Sequence, residues 1–182
     1  MDLSKIAQNL IKCVSTGEMV ELQSLWAKQT AVLCRLWSTE LSSVKSQLDA
    51  HNVRLCGVGL EELGLEEFVE KKFFTGELYI DAKQQIYKDL GFKRYNVINA
   101  NSLGIKGNMK GDGMQNGGML IVTAGGEKVL LDHKQASPGD HVANEKILEV
   151  LGIKSDESKK DETESASAAG ADCGCAAKEG ES

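Results

Sequence analysis

Between Trp37 and Leu48 the apolar positions Trp37, Leu41, Val44 and Leu48 recur at spacings of four, three and four, which puts all of them on one helix face. His51-Asn52 ends that pattern, and the run 53–58 behind it reads as a strand. Just upstream, Ala31, Val32 and Leu33 form a short apolar run that delivers Cys34 to the start of the helical pattern, so a βαβ unit is expected here. Residues 61–74 carry a second helical pattern with Leu65, Phe68 and Val69 as its inward side. Residues 77–80 read as a short strand, Asp81 as an N-cap, and 83–90 as a helix closed by Gly91. Two β-rich runs, 118–123 and 127–131, flank Gly125-Gly126 and have the composition of a hairpin. A last helix is predicted over 144–151, stopped by Gly152. At the other end, Asp2 is expected to cap a helix reaching Lys12, after which Thr16-Gly17-Glu18 turns the chain into the extended run 19–22.

Charge separates a body from a tail. Residues 155–182 hold eight acidic side chains and three lysines, net −5, without one Leu, Ile, Val or aromatic residue, so they are expected to stay disordered. The whole chain carries −6, which leaves about −1 for a single domain over 1–154 and argues against nucleic acid as a partner. The five cysteines, Cys13, Cys34, Cys56, Cys173 and Cys175, are odd in number and follow no secretory leader, so a reducing, cytosolic location is expected. No apolar stretch approaches the roughly 18 residues that a transmembrane segment needs. His51, His133 and His141 stand far apart with no metal-ligand spacing, so no metal site is predicted.

The order βαβα, hairpin, helix is that of a thioredoxin-like α/β fold. The segments Gly76-Glu-Leu-Tyr-Ile-Asp81, Tyr87-Lys-Asp-Leu-Gly-Phe-Lys-Arg-Tyr95, Gly117-Gly-Met-Leu-Ile-Val122, Gly125-Gly-Glu-Lys-Val-Leu-Leu131 and Ser137-Pro-Gly-Asp140 together resemble the peroxiredoxin-like 2 family. The resemblance runs from the first residues to Ile153 and leaves the tail outside. It implies a thioredoxin-like fold and a cytosolic oxidoreductase of prostaglandin biosynthesis, one that reduces the endoperoxide of prostaglandin H2 or its ethanolamide to the F-type product with NADPH.

Two departures from the family pattern bear on chemistry. Family members end a longer first strand in Arg-Arg-Phe-Gly-Cys-x-x-Cys-Arg; here Cys34-Arg35 matches the second cysteine and its arginine, while Ala31 stands where the first cysteine is expected. After Tyr95-Asn96 a family segment is reduced to a bridge over 97–103. A dithiol site uses one thiolate to attack a weak O–O bond and a second thiol to resolve the oxidised sulfur. One cysteine supplies half of that. The enzyme reading assigns Cys34 as the catalytic thiol, reset by an external thiol such as a thioredoxin-type reductant, with Arg35 helping to lower its pKa. The competing readings are an ordinary buried cysteine in a non-catalytic relative kept as a binding module, and a general thiol antioxidant. A shortened central strand leaves ladder groups unpaired at about 1–3 kcal/mol each when buried, a large part of a total stability of about 5–15 kcal/mol. The run 30–37 is therefore expected to be drawn in as a substitute strand, taking Cys34 away from the helix end.

The remaining candidates are weaker. Cys56 within the strand 53–58 reads as core, Cys13 as structural or surface, and Cys173-Gly-Cys175 as two ligands short of a closed metal site. Gly57-Val-Gly59 follows a strand as a dinucleotide loop would, but Glu62 stands where the third glycine belongs, so a plain strand-to-helix turn is the reading and NADPH rests on the resemblance alone. An apolar pocket for a lipid endoperoxide is expected around Phe73, Phe74, Tyr79 and Phe92, residues that would serve an ordinary core equally well.

Overall fold

The computed structural model describes residues 1–35, 38–62, 64–92, 116–136 and 140–154. Strands β1 (Leu10–Cys13), β2 (Met19–Glu21), β3 (Ala31–Cys34), β4 (Arg54–Gly59), β5 (Glu77–Ile80), β6 (Gly118–Val122) and β7 (Val129–Lys134) form one sheet in the order β2-β1-β5-β4-β3-β6-β7. The pairs β3–β4 and β4–β5 are parallel, while β6 runs antiparallel to β3 and the two outer hairpins β1–β2 and β6–β7 are antiparallel. Helices α1 (Ser38–Ser43) and α2 (Lys45–Ala50) make the crossover from β3 to β4, α3 (Leu65–Glu70) leads towards β5, α4 (Gln85–Asp89) follows it, and α5 (Asn144–Leu151) ends the described chain. This is the thioredoxin-like α/β architecture.

Period-two burial splits the core into two layers. On one face, Ala31, Leu33, Cys56, Val58 and Leu120 pack against Ile6, Trp26 and the α4 residues Ile86 and Tyr87. On the other, Val32, Cys34, Leu55 and Ile121 pack against Leu41, Val44 and Leu48 of the crossover and Ile147 and Leu148 of α5. The expected apolar face of the crossover is thus present, in two short helices that meet at Val44. Gly152, at φ 71°, closes α5 as its position predicts, because a left-handed residue satisfies the last carbonyls.

Three expectations need correction. Asp2 does accept a hydrogen bond from the Ser4 N–H, but the segment it caps is a 3-10 turn, Leu3–Lys5; residues 6–8 continue as turn, and residues 10–12 of the expected helix belong to strand β1. β1 is held by β2 and by the distant β5, through Lys12–Ile80 and Cys13–Tyr79, and that long-range ladder overrides local helix propensity. Val69 points outward, 46% exposed, because α3 is a six-residue helix with Leu65 and Phe68 half-buried. Asp81 is a cap from three residues further out than a standard one: its buried carboxylate accepts the N–H groups of Gln85 and Ile86, so α4 begins at Gln85 rather than 83. The expectations for Trp37, the bridge 97–103, the tail and Cys173-Gly-Cys175 fall outside the described residues.

Candidate functional site

Of the run 30–37, residues 36–37 lie outside the described residues, and residues 31–34 form the central strand β3. Its four residues Ala31, Val32, Leu33 and Cys34 are all buried, and each is laddered on both sides, to β4 and to β6. Cys34 therefore ends a central strand, opposite Gly57 and Met119, at the carboxyl end of the parallel strands where open α/β sheets hold ligands. Its side chain belongs to the layer of Leu41, Val44 and Leu48, and its thiol donates to the Cys56 carbonyl at 3.5 Å. Burial pushes the thiol well above the ordinary cysteine value, and the neighbouring Cys56 adds to the shift. Cys34 is a protonated, enclosed thiol in this conformation.

Arg35 does not supply the expected help. Successive strand residues face opposite sides, and the Arg35 guanidinium lies over the Tyr87 ring, 6.0 Å from its centroid, in the other layer from the Cys34 thiol. Two glycines at the start of β6 make this placement possible. A Cβ on Gly117 would come within 2.6 Å of Arg35 Cδ, and one on Gly118 within 2.2 Å of the His133 carbonyl and 2.9 Å of the Phe92 ring. Phe92 in turn meets Tyr87 edge-on, ring centres 5.4 Å apart. The result is a tier of Arg35, Tyr87 and Phe92 set on bare backbone. Gly117 and Gly118 stood in the sequence as an adjacent pair before a β-rich run, and close approach was the signal they carried.

Beneath this tier lies a cavity of about 40 Å³, lined by Leu33, Arg35, Val58, Tyr87, Phe92 and Leu120 among others, with Cys34 and Asp132 also on its border. Of the four aromatics expected around a pocket, Phe92 alone lines it. Phe74 packs in the opposite layer, Phe73 is 39% exposed, and Tyr79 donates its hydroxyl to Glu77 beside Arg54. The space holds a water or two or a small end group, against the roughly 300–1,000 Å³ of pockets that enclose a drug-sized ligand.

Cys56 sits in the core as expected, its thiol pushed up to about 12 by burial. Cys13 is half-buried at the end of β1, with Sγ 3.3 Å from Ser15 Oγ. Burial raises its pKa, but hydrogen bonds from Ser15 and Thr16 outweigh that and leave it below the ordinary value. Gly57 and Gly59 lie inside β4 rather than in a loop after it. The space above Gly57 is filled by Leu78 and Phe74, so this segment does not fit a dinucleotide phosphate. Among the described residues, no group of three or more His, Cys, Asp or Glu could hold a metal ion. No helix among them is long and apolar enough to cross a membrane.

Residues 40–137 match the family model described as AhpC/TSA antioxidant enzyme. The prostamide/prostaglandin F synthase of Xenopus laevis is 46% identical over 179 residues, covering 84% of this chain and 89% of its own length. The human protein of the same name is 45% identical, covering 84% and 90%. The aligned length of 179 exceeds the 84% of this 182-residue chain that it spans, so these relatives carry residues that this chain lacks. Among solved structures, the peroxidoxin BcpB from Mycobacterium tuberculosis superposes with a TM-score of 0.56 at 16% identity, over 80% of this chain and 93% of that one, a likeness of fold.

Proposed function

Because the chain belongs to the peroxiredoxin-like AhpC/TSA family of thiol oxidoreductases, together with the prostamide/prostaglandin F synthases, we propose that it reduces the endoperoxide of prostaglandin H2 or of its ethanolamide to the F-type product. What supports this reading is that Cys34, which the resemblance matches to the second cysteine of the family's motif, ends a central strand at the carboxyl end of the parallel strands and borders an apolar cavity. The Cys34 thiolate attacks one endoperoxide oxygen, forming an S–O bond as the O–O bond breaks, and the departing alkoxide takes a proton to become the first hydroxyl. An external thiol then attacks the sulfur, releases the second hydroxyl and leaves a mixed disulfide; a second external thiol frees Cys34 and departs as the disulfide. Two thiols are oxidised by two electrons in all, and the endoperoxide gains them.

The electrons come ultimately from NADPH, as the resemblance implies, and reach Cys34 through a small thiol or a thioredoxin-type partner in the cytosol, since Gly57 and Gly59 are spent inside β4. Deprotonation of Cys34 requires the end of β3 to part from α1, because the enclosed thiol holds its proton. Turnover with a thioredoxin system present should fall to background in Cys34→Ser and be undetectable with NADPH alone. Equal turnover of wild type and Cys34→Ser would remove Cys34 from the chemistry.

The same burial favours a second reading, a non-catalytic relative that binds the lipid without reducing it. Product formation from prostaglandin H2 by wild type, absent from Cys34→Ser, excludes it; binding without turnover establishes it.

A further inference from the structure

We propose that the tail pair Cys173-Gly-Cys175 is the resolving dithiol of Cys34, supplied by the same chain in place of the absent first cysteine of the motif. The inference rests on the catalytic reading above and names the thiols that reach Cys34 in it. Three observations point to it. First, Cys34 has no second thiol within reach among the described residues. Ala31 stands three residues back, buried and laddered in β3. Cys13 and Cys56 belong to the opposite layer, so the sheet itself lies between their sulfurs and that of Cys34. A disulfide needs Cβ atoms about 3.5–4.5 Å apart and aimed at one another, which opposite faces of a sheet do not give. Secondly, the tail leaves the body on the face that carries the Cys34 thiol. Ile153 is buried in the same layer as Cys34, Leu41 and Leu48. Lys154 shares a surface groove with Ala50 and His51 at the far end of α2, so the crossover Ser38–Ala50 separates the root of the tail from the end of β3. At about 1.5 Å per residue that crossover spans about 20 Å. Thirdly, the tether has a matching length. Cys173 follows Lys154 by about 19 residues, drawn from Ser, Ala, Gly, Thr, Asp, Glu and Lys, and a coil of that length has a root-mean-square reach of about 22–26 Å. A tether whose typical reach equals the span gives the highest effective concentration, of millimolar order.

In the reaction, the attack on the endoperoxide leaves Cys34 with an S–O bond. One tail thiol attacks the Cys34 sulfur; the S–O bond breaks, and the thiol's proton passes to the departing alkoxide, which leaves as the second hydroxyl. The other tail thiolate then attacks the tail sulfur of the new disulfide, so that Cys34 departs as a thiolate and a Cys173–Cys175 disulfide remains. The two electrons gained by the endoperoxide are thus withdrawn from the tail pair. The thioredoxin-type dithiol returns them at the tail rather than at the enclosed Cys34, and is itself oxidised to its disulfide.

The test uses the full chain, with prostaglandin H2 and, separately, hydrogen peroxide as oxidants, read by peptide mass mapping without reductant. One equivalent of oxidant should leave wild type with a Cys173–Cys175 disulfide and a free Cys34. Cys173→Ser and Cys175→Ser each remove the second exchange, so at least one of them should accumulate a disulfide between Cys34 and the remaining tail cysteine of the same chain. In Cys34→Ser the tail disulfide should form at least about tenfold more slowly, because the tail then meets the oxidant without its relay. In steady state with a micromolar thioredoxin system, the double variant Cys173→Ser/Cys175→Ser should turn over at least about tenfold more slowly than wild type and recover when millimolar glutathione replaces the lost tether. A tail disulfide that forms equally fast in Cys34→Ser overturns the inference, as does unchanged turnover in the double variant or linkage of Cys34 only to the tail of another chain. Linkage with hydrogen peroxide but not with prostaglandin H2 would sink the endoperoxide reading and leave the tail as the resolving dithiol of a general peroxide reductase; a Cys34 that neither oxidant modifies sinks both.

Discussion

Cys13 and Cys34 each close a four-residue strand, yet their surroundings give them opposite chemistry. β1 ends in an open turn, where Ser15 and Thr16 donate hydrogen bonds that stabilise the thiolate of a half-buried sulfur. β3 ends between two strands and under the crossover helices, where desolvation keeps the thiol neutral. Cys34, the proposed catalytic thiol, thus holds its proton more firmly than Cys13. Register alone therefore does not set reactivity; what closes over the strand end does.

The contrast can be broken most directly by alkylation. Native protein treated with iodoacetamide and mapped by peptide mass should show Cys13 modified on the order of a thousandfold faster than Cys34 or Cys56, because the latter two react through openings that cost a good part of the stability of about 5–15 kcal/mol. Comparable rates at Cys13 and Cys34 would show that the end of β3 opens freely. Next in size is the cost of a hydroxyl at each site. Cys34→Ser should lower stability in urea unfolding by about 1–3 kcal/mol, the cost of burying a polar group in an apolar layer, whereas Cys13→Ser should stay within about 0.5 kcal/mol.

The smallest effect concerns the strand on which β1 hangs. Hydrogen bonds from Arg54 hold the Glu77 carboxyl below its ordinary value; burial opposes the shift, and the Tyr79 hydroxyl reinforces it. A carboxyl depressed in the folded state stabilises the fold above its unfolded value near 4.5 and loses that contribution as pH falls through the folded one. Since Glu77 is half-exposed, Glu77→Gln should cost no more than about 1 kcal/mol at neutral pH and flatten the acid limb of the stability curve. Hydrogen exchange should quicken in β1, which reaches the sheet through β5, more than in β3.

Parts of the fold are decided locally. The bounds of α5 and its Gly152 stop, β5, the β6–β7 hairpin and the inward positions Leu41, Val44 and Leu48 all follow from periodicity and capping within a few residues. What escaped was decided across the sheet. β1 is a strand because β5 pairs with it from 66 or more residues away. Cys34 is in the ladder because Met119 lies opposite it, and Arg35 turns to Tyr87 because Gly117 lets it. The pocket aromatics were misplaced for the same reason, since a Phe carries no sign of which layer its strand or loop will face.

The placement of β3 also bears on how the chain folds. Its partners arrive at very different times: β4 is reached after one short crossover, while β6 lies about 85 residues on, at Met119 to Val122. Closing so long a loop carries an entropic penalty before any ladder bond rewards it. The β1–β2 and β6–β7 hairpins can zip on a microsecond scale, within roughly 1–10 μs, but the second edge of β3 stays bare until the later hairpin docks. In that interval four apolar residues, Ala31 to Cys34, present an open edge to other chains. The centre of this sheet is thus exposed to pairing with other chains during synthesis, although all four of its residues are buried in the native protein.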